Sequence, residues 1–74
     1  MSTNVIQMYA TRAAKANGVW FASFINAERL GLSVMQAKAV ADGAVKRLRG
    51  GKSPARAVAD SRRESVELAQ AIPA

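Results

Sequence analysis

The sequence predicts an all-α protein, a small bundle of three to four short helices, in one domain that covers residues 1–74. Two observations predict this class. Apolar residues recur at steps of three and four along the centre of the chain, which is the helical period. Signals that start and stop helices flank those segments. Because 74 residues without cysteine support only a thin core with no disulfide, the fold depends on helix packing.

The N-terminal segment, residues 1–17, is open to three interpretations. Val5, Ile6 and Tyr9 favour a strand, whereas the alanine-rich stretch over residues 10–16 favours a helix. Asn17-Gly18 then either caps that helix, with glycine in the left-handed conformation, or forms the turn of a β-hairpin. The third interpretation is a disordered terminus.

Residues 19–30 predict a short helix that ends at Gly31. Its apolar face carries Trp20, Phe21, Phe24 and Ile25. We expect this cluster to form the core, because so small a domain needs its aromatic rings inside. The alternative is that one of these rings stays at the surface as an anchor for a protein partner, with Trp20 as the leading candidate.

The next helix begins after Ser33, which forms a capping box with Gln36, and Gly50-Gly51 ends it. Its apolar stripe consists of Val34, Ala37, Val40, Ala41, Ala44, Val45 and Leu48. Ala39 and Gly43 have the spacing of a DNA-reading helix-turn-helix. However, Arg49 takes a position that this motif keeps apolar, so one continuous helix is favoured.

Ser53-Pro54 predicts the start of the last helix, with serine as N-cap and proline at the first position. A small apolar face would consist of Ala55, Val58 and Ala59. The sequence leaves open whether this helix continues to Gln70 or whether residues 64–74 form a disordered tail.

The residue types present argue against an enzyme. The chain has no histidine, which removes the usual general base, and no cysteine, which removes thiolate metal sites. Its five carboxylates each lie near Arg or Lys in sequence, as in ordinary surface pairing. We therefore expect no catalytic site, no cofactor, no metal and no small-molecule substrate.

The hydrophobic pattern predicts no membrane association. The longest apolar run, over residues 19–25, is far shorter than the roughly 20 residues that span a bilayer. The chain also begins without the features of a signal peptide. We expect a cytoplasmic protein that is a monomer.

The charge is concentrated in residues 46–63, which hold seven basic residues against Asp60 alone. The net charge of this stretch, +6, therefore equals the net charge of the whole chain. Such a cluster favours a partner with phosphates or with an acidic surface, whereas the simpler interpretation is a solvated edge that keeps the protein soluble.

Two segments, MSTNVIQMYATRAAKANGVWF and LGLSVMQAKAVADGAVKRLRGGKSPARAV, resemble small lytic-phage proteins that bind host RNA polymerase. The resemblance extends over essentially the whole chain. It implies that the partner is the large subunits of the host polymerase. It also implies inhibition of transcription initiation by interference with the sigma factor, and antitermination. No motif of the family identifies contact residues.

The sequence offers two kinds of contact residue for such a partner. The apolar anchors would come from Val5, Ile6, Tyr9 and Trp20, and Arg47, Arg49, Lys52 and Arg56 would steer the approach. The alternative function is a basic regulator that uses the same cationic cluster to bind DNA or RNA.

Overall fold

The computed structural model describes the backbone of residues 3–72 and the side chains of residues 11–72. It contains three helices: α1 (Thr3–Arg29), α2 (Val34–Arg49) and α3 (Pro54–Gln70). Each helix packs against the other two in an up-down-up bundle. The prediction of an all-α protein is confirmed, and no strand occurs within residues 3–72.

Both helix connections use the same backbone motif. Gly31 and Gly51 have φ angles of 90° and 106°, in the left-handed region that favours glycine. The N–H of Leu32 donates to the Ala27 carbonyl at 3.2 Å, and the N–H of Lys52 donates to the Arg47 carbonyl at 3.1 Å. These are Schellman motifs, which satisfy the last carbonyls of α1 and α2 and reverse the chain within four residues.

The predicted caps at the other helix ends are confirmed. Ser33 Oγ accepts the Gln36 N–H at 3.2 Å, and Gln36 Oε1 accepts the Ser33 N–H at 3.0 Å, which completes the capping box. Ser53 Oγ accepts the Arg56 N–H at 3.2 Å, with Pro54 at the first position of α3. Local sequence signals therefore set both turns.

The prediction of a continuous α2 is also confirmed, since Gly43 lies inside this helix and no turn interrupts it. Ala37, Val40, Ala41 and Ala44 of the predicted stripe are buried. Val34, at the start of the helix, is instead 64% exposed, because no helix covers that end of the stripe.

The core is built from small side chains. The prediction of an aromatic core is wrong for Phe21 and Ile25, although Phe24 packs against the buried residues. Phe21 is 59% exposed and Ile25 is 42% exposed, while Trp20 and Phe24 are half-buried. The buried residues are Val19, Ser23, Ala27, Leu32, Ala37, Val40, Ala41, Ala44, Ala57, Ser61 and Ser65. Alanine and serine let helix backbones approach closely, which leaves no room for rings between them.

Serines hold the centre of the α1–α3 contact. Ser61 Oγ lies 2.8 Å from Ser23 Oγ and 2.8 Å from the Val58 carbonyl oxygen. Ser61 can donate to the carbonyl while Ser23 donates to Ser61, which satisfies both buried hydroxyls. Ser65 Oγ is buried without a hydrogen-bond partner among the described residues.

The face of α3 that packs on the bundle agrees with the predicted one only at Val58, which packs against Val19, Ala44 and Ala57. Ala57, Ser61 and Ser65 are buried, whereas Ala55 and Ala59 are exposed. The polar character of the two serines concealed this face, because a hydroxyl that finds a partner can be buried at little cost. α3 also includes residues 64–70, for which a disordered tail was one of the two possibilities. Ala69 in this part of the helix packs on the core.

α1 continues through Asn17-Gly18, so both interpretations of this dipeptide, as a helix cap and as a hairpin turn, are wrong. A glycine inside a helix costs about 1 kcal/mol relative to alanine. Packing of the adjacent Val19, which is 3% exposed, offsets that cost. The described residues 11–15 of α1 are all exposed, although Arg12, Ala13 and Lys15 still border the end of α2 and Lys15 borders the start of α3.

Two glycines provide a matched test of this backbone. We expect Gly18→Ala to raise the free energy of unfolding by about 0.5–1 kcal/mol, because Gly18 is helical and an added Cβ would meet no atom within 4 Å. Gly51→Ala should lower it by about 1–2 kcal/mol, because its φ is positive. Urea denaturation followed by circular dichroism measures both. A loss of stability in Gly18→Ala would contradict the continuous helix.

The buried serines provide a second matched pair. Ser61→Ala should lower the free energy of unfolding by about 1 kcal/mol or more, since Ser23 would lose its hydrogen-bond partner. Ser65→Ala should leave it unchanged or raise it by about 1 kcal/mol, since that hydroxyl is buried without a partner. Equal losses in the two variants would contradict the assigned hydrogen bonding.

Candidate partner-binding surface

Trp20, the predicted anchor, is fixed within the bundle. Its indole Nε1–H donates to Asp42 Oδ1 of α2 at 2.8 Å, and its ring stacks on Phe24 with centroids 5.0 Å apart. The side chain is half-buried, and its hydrogen-bond donor is occupied. Trp20 therefore ties α1 to α2 and offers only part of one ring to a partner.

Within residues 11–72, the exposed aromatic residue is Phe21. Its ring meets Trp20 edge to face, with centroids 5.2 Å apart and an interplanar angle of 83°. Ile25, one turn further along α1, is also exposed. An exposed phenylalanine that rests on an ordered tryptophan loses little side-chain freedom on binding, so Phe21 is better placed as an anchor than Trp20.

Val5, Ile6 and Tyr9, the other predicted anchors, belong to α1 by their backbone. The strand interpretation of this segment, with its addition to a sheet edge of a partner, is therefore wrong. The side chains of these three residues lie outside the described part of the structure.

Three of the four predicted steering residues form ion pairs between α2 and α3 or along α3. Arg47 Nη2 lies 2.8 Å from Glu64 Oε2. Lys52 Nζ lies 2.6 Å from Asp60 Oδ2, and Arg56 Nε lies 3.6 Å from Asp60 Oδ1. Arg63 and Glu67 line the same seam. Three of the seven basic residues that cluster in the sequence thus share two carboxylates of α3.

Asp60 is the centre of this seam. The hydrogen bond from Lys52 lowers the pKa of the Asp60 carboxyl below its usual range, and the positive charges of Lys52, Arg56 and Arg47 act in the same direction. Partial desolvation opposes the shift without cancelling it. Only 12% of the Asp60 side chain is exposed, so this carboxylate serves to join α3 to the preceding turn.

Arg49, the fourth steering residue, lies apart from the seam. It borders a cleft of about 600 Å³ between α1 and the end of α2, together with Arg12 and Lys15. The floor of the cleft consists of Ala13, Ala16 and Leu48. None of these lining residues is acidic, and among the described residues no ion pair neutralises the three cations. We call this site the cationic cleft.

Sequence reasoning missed Arg12 and Lys15. They lie more than 30 residues from Arg49, outside the basic stretch, in a segment whose secondary structure was open. The signal that could have found them is their spacing of three in a helix, which places both on one side. Only the antiparallel return of α2 brings Arg49 to the same place.

A second cleft, of about 360 Å³, connects the charged and the aromatic features. Ala16 and Arg49 border both clefts, and Asn17, Trp20, Asp42 and Val45 complete the lining of the second. The α1–α2 contact therefore forms a groove that runs from the three cations to the ring of Trp20. Such an arrangement suits recognition of a macromolecule by apolar contact and charge together.

Comparison of the chain with models of protein families, with curated proteins and with solved structures finds no match. Within residues 3–72, no helix combines the length and the apolar character needed to cross a bilayer.

The pKa of Asp60 predicts how stability depends on pH. A lowered pKa in the folded state means that the carboxylate adds stability above its unfolded pKa, near 3.9, and that this stability is lost as the pH falls through the folded pKa. We expect Asp60→Asn to be less stable than the wild type at pH 7, with the difference closing towards pH 2. Urea denaturation of both proteins at several pH values between 2 and 7 measures the difference in their free energies of unfolding.

The cause of the shift can be tested separately by NMR titration of the Asp60 carboxyl. Lys52→Met removes the largest contribution, so the pKa of Asp60 should rise in that variant. An unchanged pKa in Lys52→Met would contradict the assigned hydrogen bond.

Proposed function

We propose that this protein docks on host bacterial RNA polymerase, inhibits transcription initiation by interfering with the sigma factor, and promotes antitermination. The observation that carries the proposal is the α1–α2 groove, which leads from the three cations of the cationic cleft to Trp20. Among the described residues these cations form no ion pair, and exposed Phe21 packs edge to face on Trp20 beside the groove. The resemblance of both long sequence segments to phage inhibitors of polymerase supports the choice of partner.

The physical requirements of such an inhibitor match this surface. It needs no bond-making chemistry, only enough affinity to occupy a site that the sigma factor or the promoter complex also requires. Unpaired cations raise the association rate with an acidic surface, and an aromatic anchor slows dissociation. Since Arg47, Lys52 and Arg56 already have carboxylate partners, Arg49 is the residue of the four best able to steer.

The second candidate function is direct binding of DNA or RNA. It is favoured by the same three cations, because side chains that lack a carboxylate partner can also neutralise phosphates. The two candidates differ in whether polymerase subunits or nucleic acid alone suffice for binding.

The proposal is tested with purified bacterial RNA polymerase, as core enzyme and as sigma-containing holoenzyme, after nuclease treatment. We expect the protein to bind the core enzyme, to reduce initiation from a promoter template and to increase passage through a terminator. Binding that disappears with nuclease and returns with a bare oligonucleotide would instead support the nucleic-acid regulator.

The anchor is tested by replacing one exposed apolar side chain. Phe21→Ser should weaken polymerase binding about tenfold or more, the typical effect at an aromatic hot spot. The matched control is Val66→Ser, which removes an exposed apolar side chain from α3 and should change affinity less than twofold. Surface plasmon resonance gives the dissociation constant of each variant for polymerase, and equal weakening by the two substitutions would contradict the role of Phe21.

A further inference from the structure

We infer that the cationic cleft seats an acidic protein segment that carries an apolar side chain among its carboxylates. The inference rests on the proposed function, and it names the chemistry of the segment that the partner contributes. It is carried by the juxtaposition of Arg12, Lys15 and Arg49 around the apolar floor of Ala13, Ala16 and Leu48.

The first argument is electrostatic. Elsewhere in the bundle, Arg47, Lys52 and Arg56 lie within 4 Å of a carboxylate. In the cleft, three like charges converge from two helices without a carboxylate among the lining residues. Like charges at short range repel one another, and an incoming anion relieves that repulsion. The cleft is therefore biased towards a ligand that brings more than one negative charge.

The second argument concerns the type of anion. Two of the three cations are arginines, whose planar guanidinium groups match carboxylates and phosphates with paired hydrogen bonds. That feature alone does not choose between protein and nucleic acid. The apolar floor favours a protein segment. Its leucine and two alanines have side chains that form no hydrogen bond with a phosphate or a sugar, whereas they can pack against an apolar side chain.

The third argument is access. Arg12, Lys15 and Arg49 are all exposed, so the cleft that they border is open to solvent. Leu48 is half-buried, since it packs against the cluster of Val19, Ala44 and Ala57 while it also forms the floor. The volume of about 600 Å³ is within the 300–1,000 Å³ range of ligand pockets. A short segment can therefore enter without rearranging the core.

The first arm of the test compares two double charge reversals with the same net charge. Arg12→Glu with Lys15→Glu should weaken binding to polymerase core enzyme at least tenfold. Lys38→Glu with Arg62→Glu changes two exposed cations away from the cleft and should weaken it less than twofold. If the two variants weaken binding equally while the wild type binds polymerase, the assignment of the binding site to the cleft is wrong, and the proposed function is unaffected. Circular dichroism checks that both variants fold.

The second arm does not depend on polymerase. The wild-type chain is titrated, with NMR detection, with a synthetic peptide in which one leucine is flanked by four carboxylate residues. We expect amide shifts that centre on Arg12, Lys15, Leu48 and Arg49, and none with the matching peptide in which glutamine replaces each carboxylate residue. Shifts spread over the surface, or absent, would overturn the inference.

A single-stranded oligo(dT) probe distinguishes the source of the anion. We expect it to bind the cleft at least tenfold more weakly than the acidic peptide. Tighter binding of the oligonucleotide at the same amides would overturn the choice of a protein segment and identify the cleft as a phosphate site. If the wild-type chain does not bind polymerase but the peptide binds the cleft, the proposed function is contradicted, whereas the inferred preference of the cleft for an acidic segment is supported.

Discussion

The close approach of three helices across alanine and serine is the constraint on which the rest of the structure depends. Ala27, Ala37, Ala41, Ala44 and Ala57 are completely buried, and so are three serines. Small side chains bury little apolar area each, so such a core stabilises the fold through dense packing and satisfied hydroxyls, not through large rings. The hydrogen bonds of the turns and helix caps then make up a larger share of the stability, because the core buries little apolar area.

This constraint accounts for the position of the aromatic residues. A ring placed between helices separated by alanine would force them apart, so Trp20 and Phe24 lie along the edge of the α1–α2 contact and Phe21 lies outside it. The hydrogen bond from Trp20 to Asp42 then fixes the edge of the bundle. A rigid aromatic surface is thus a direct consequence of a core made from small residues.

The sequence predicted what depends on a few neighbouring residues. Ser33, Ser53 and Pro54 were assigned correctly because capping involves only the adjoining turn of the helix. The continuity of α1 through Gly18 and the buried face of α3 were not, because both depend on packing between helices. The sequence did not place Ser61 and Ser65 on that face, since only the fold buries both hydroxyls and brings Ser61 to Ser23 of α1.

The same distinction applies to charge. A cluster along the sequence suggested that residues 46–63 would carry the binding charge, yet α2 and α3 place Glu64 and Asp60 opposite Arg47 and Lys52. Residues 11–18 of α1 contain no acidic residue, and among the described residues Arg12 and Lys15 form no ion pair. The charge available for recognition is therefore set by which helices meet. For this reason the cationic cleft lies at the α1–α2 contact, where Arg49 of the basic stretch joins Arg12 and Lys15, while Arg47, Lys52 and Arg56 of the same stretch pair with carboxylates of α3.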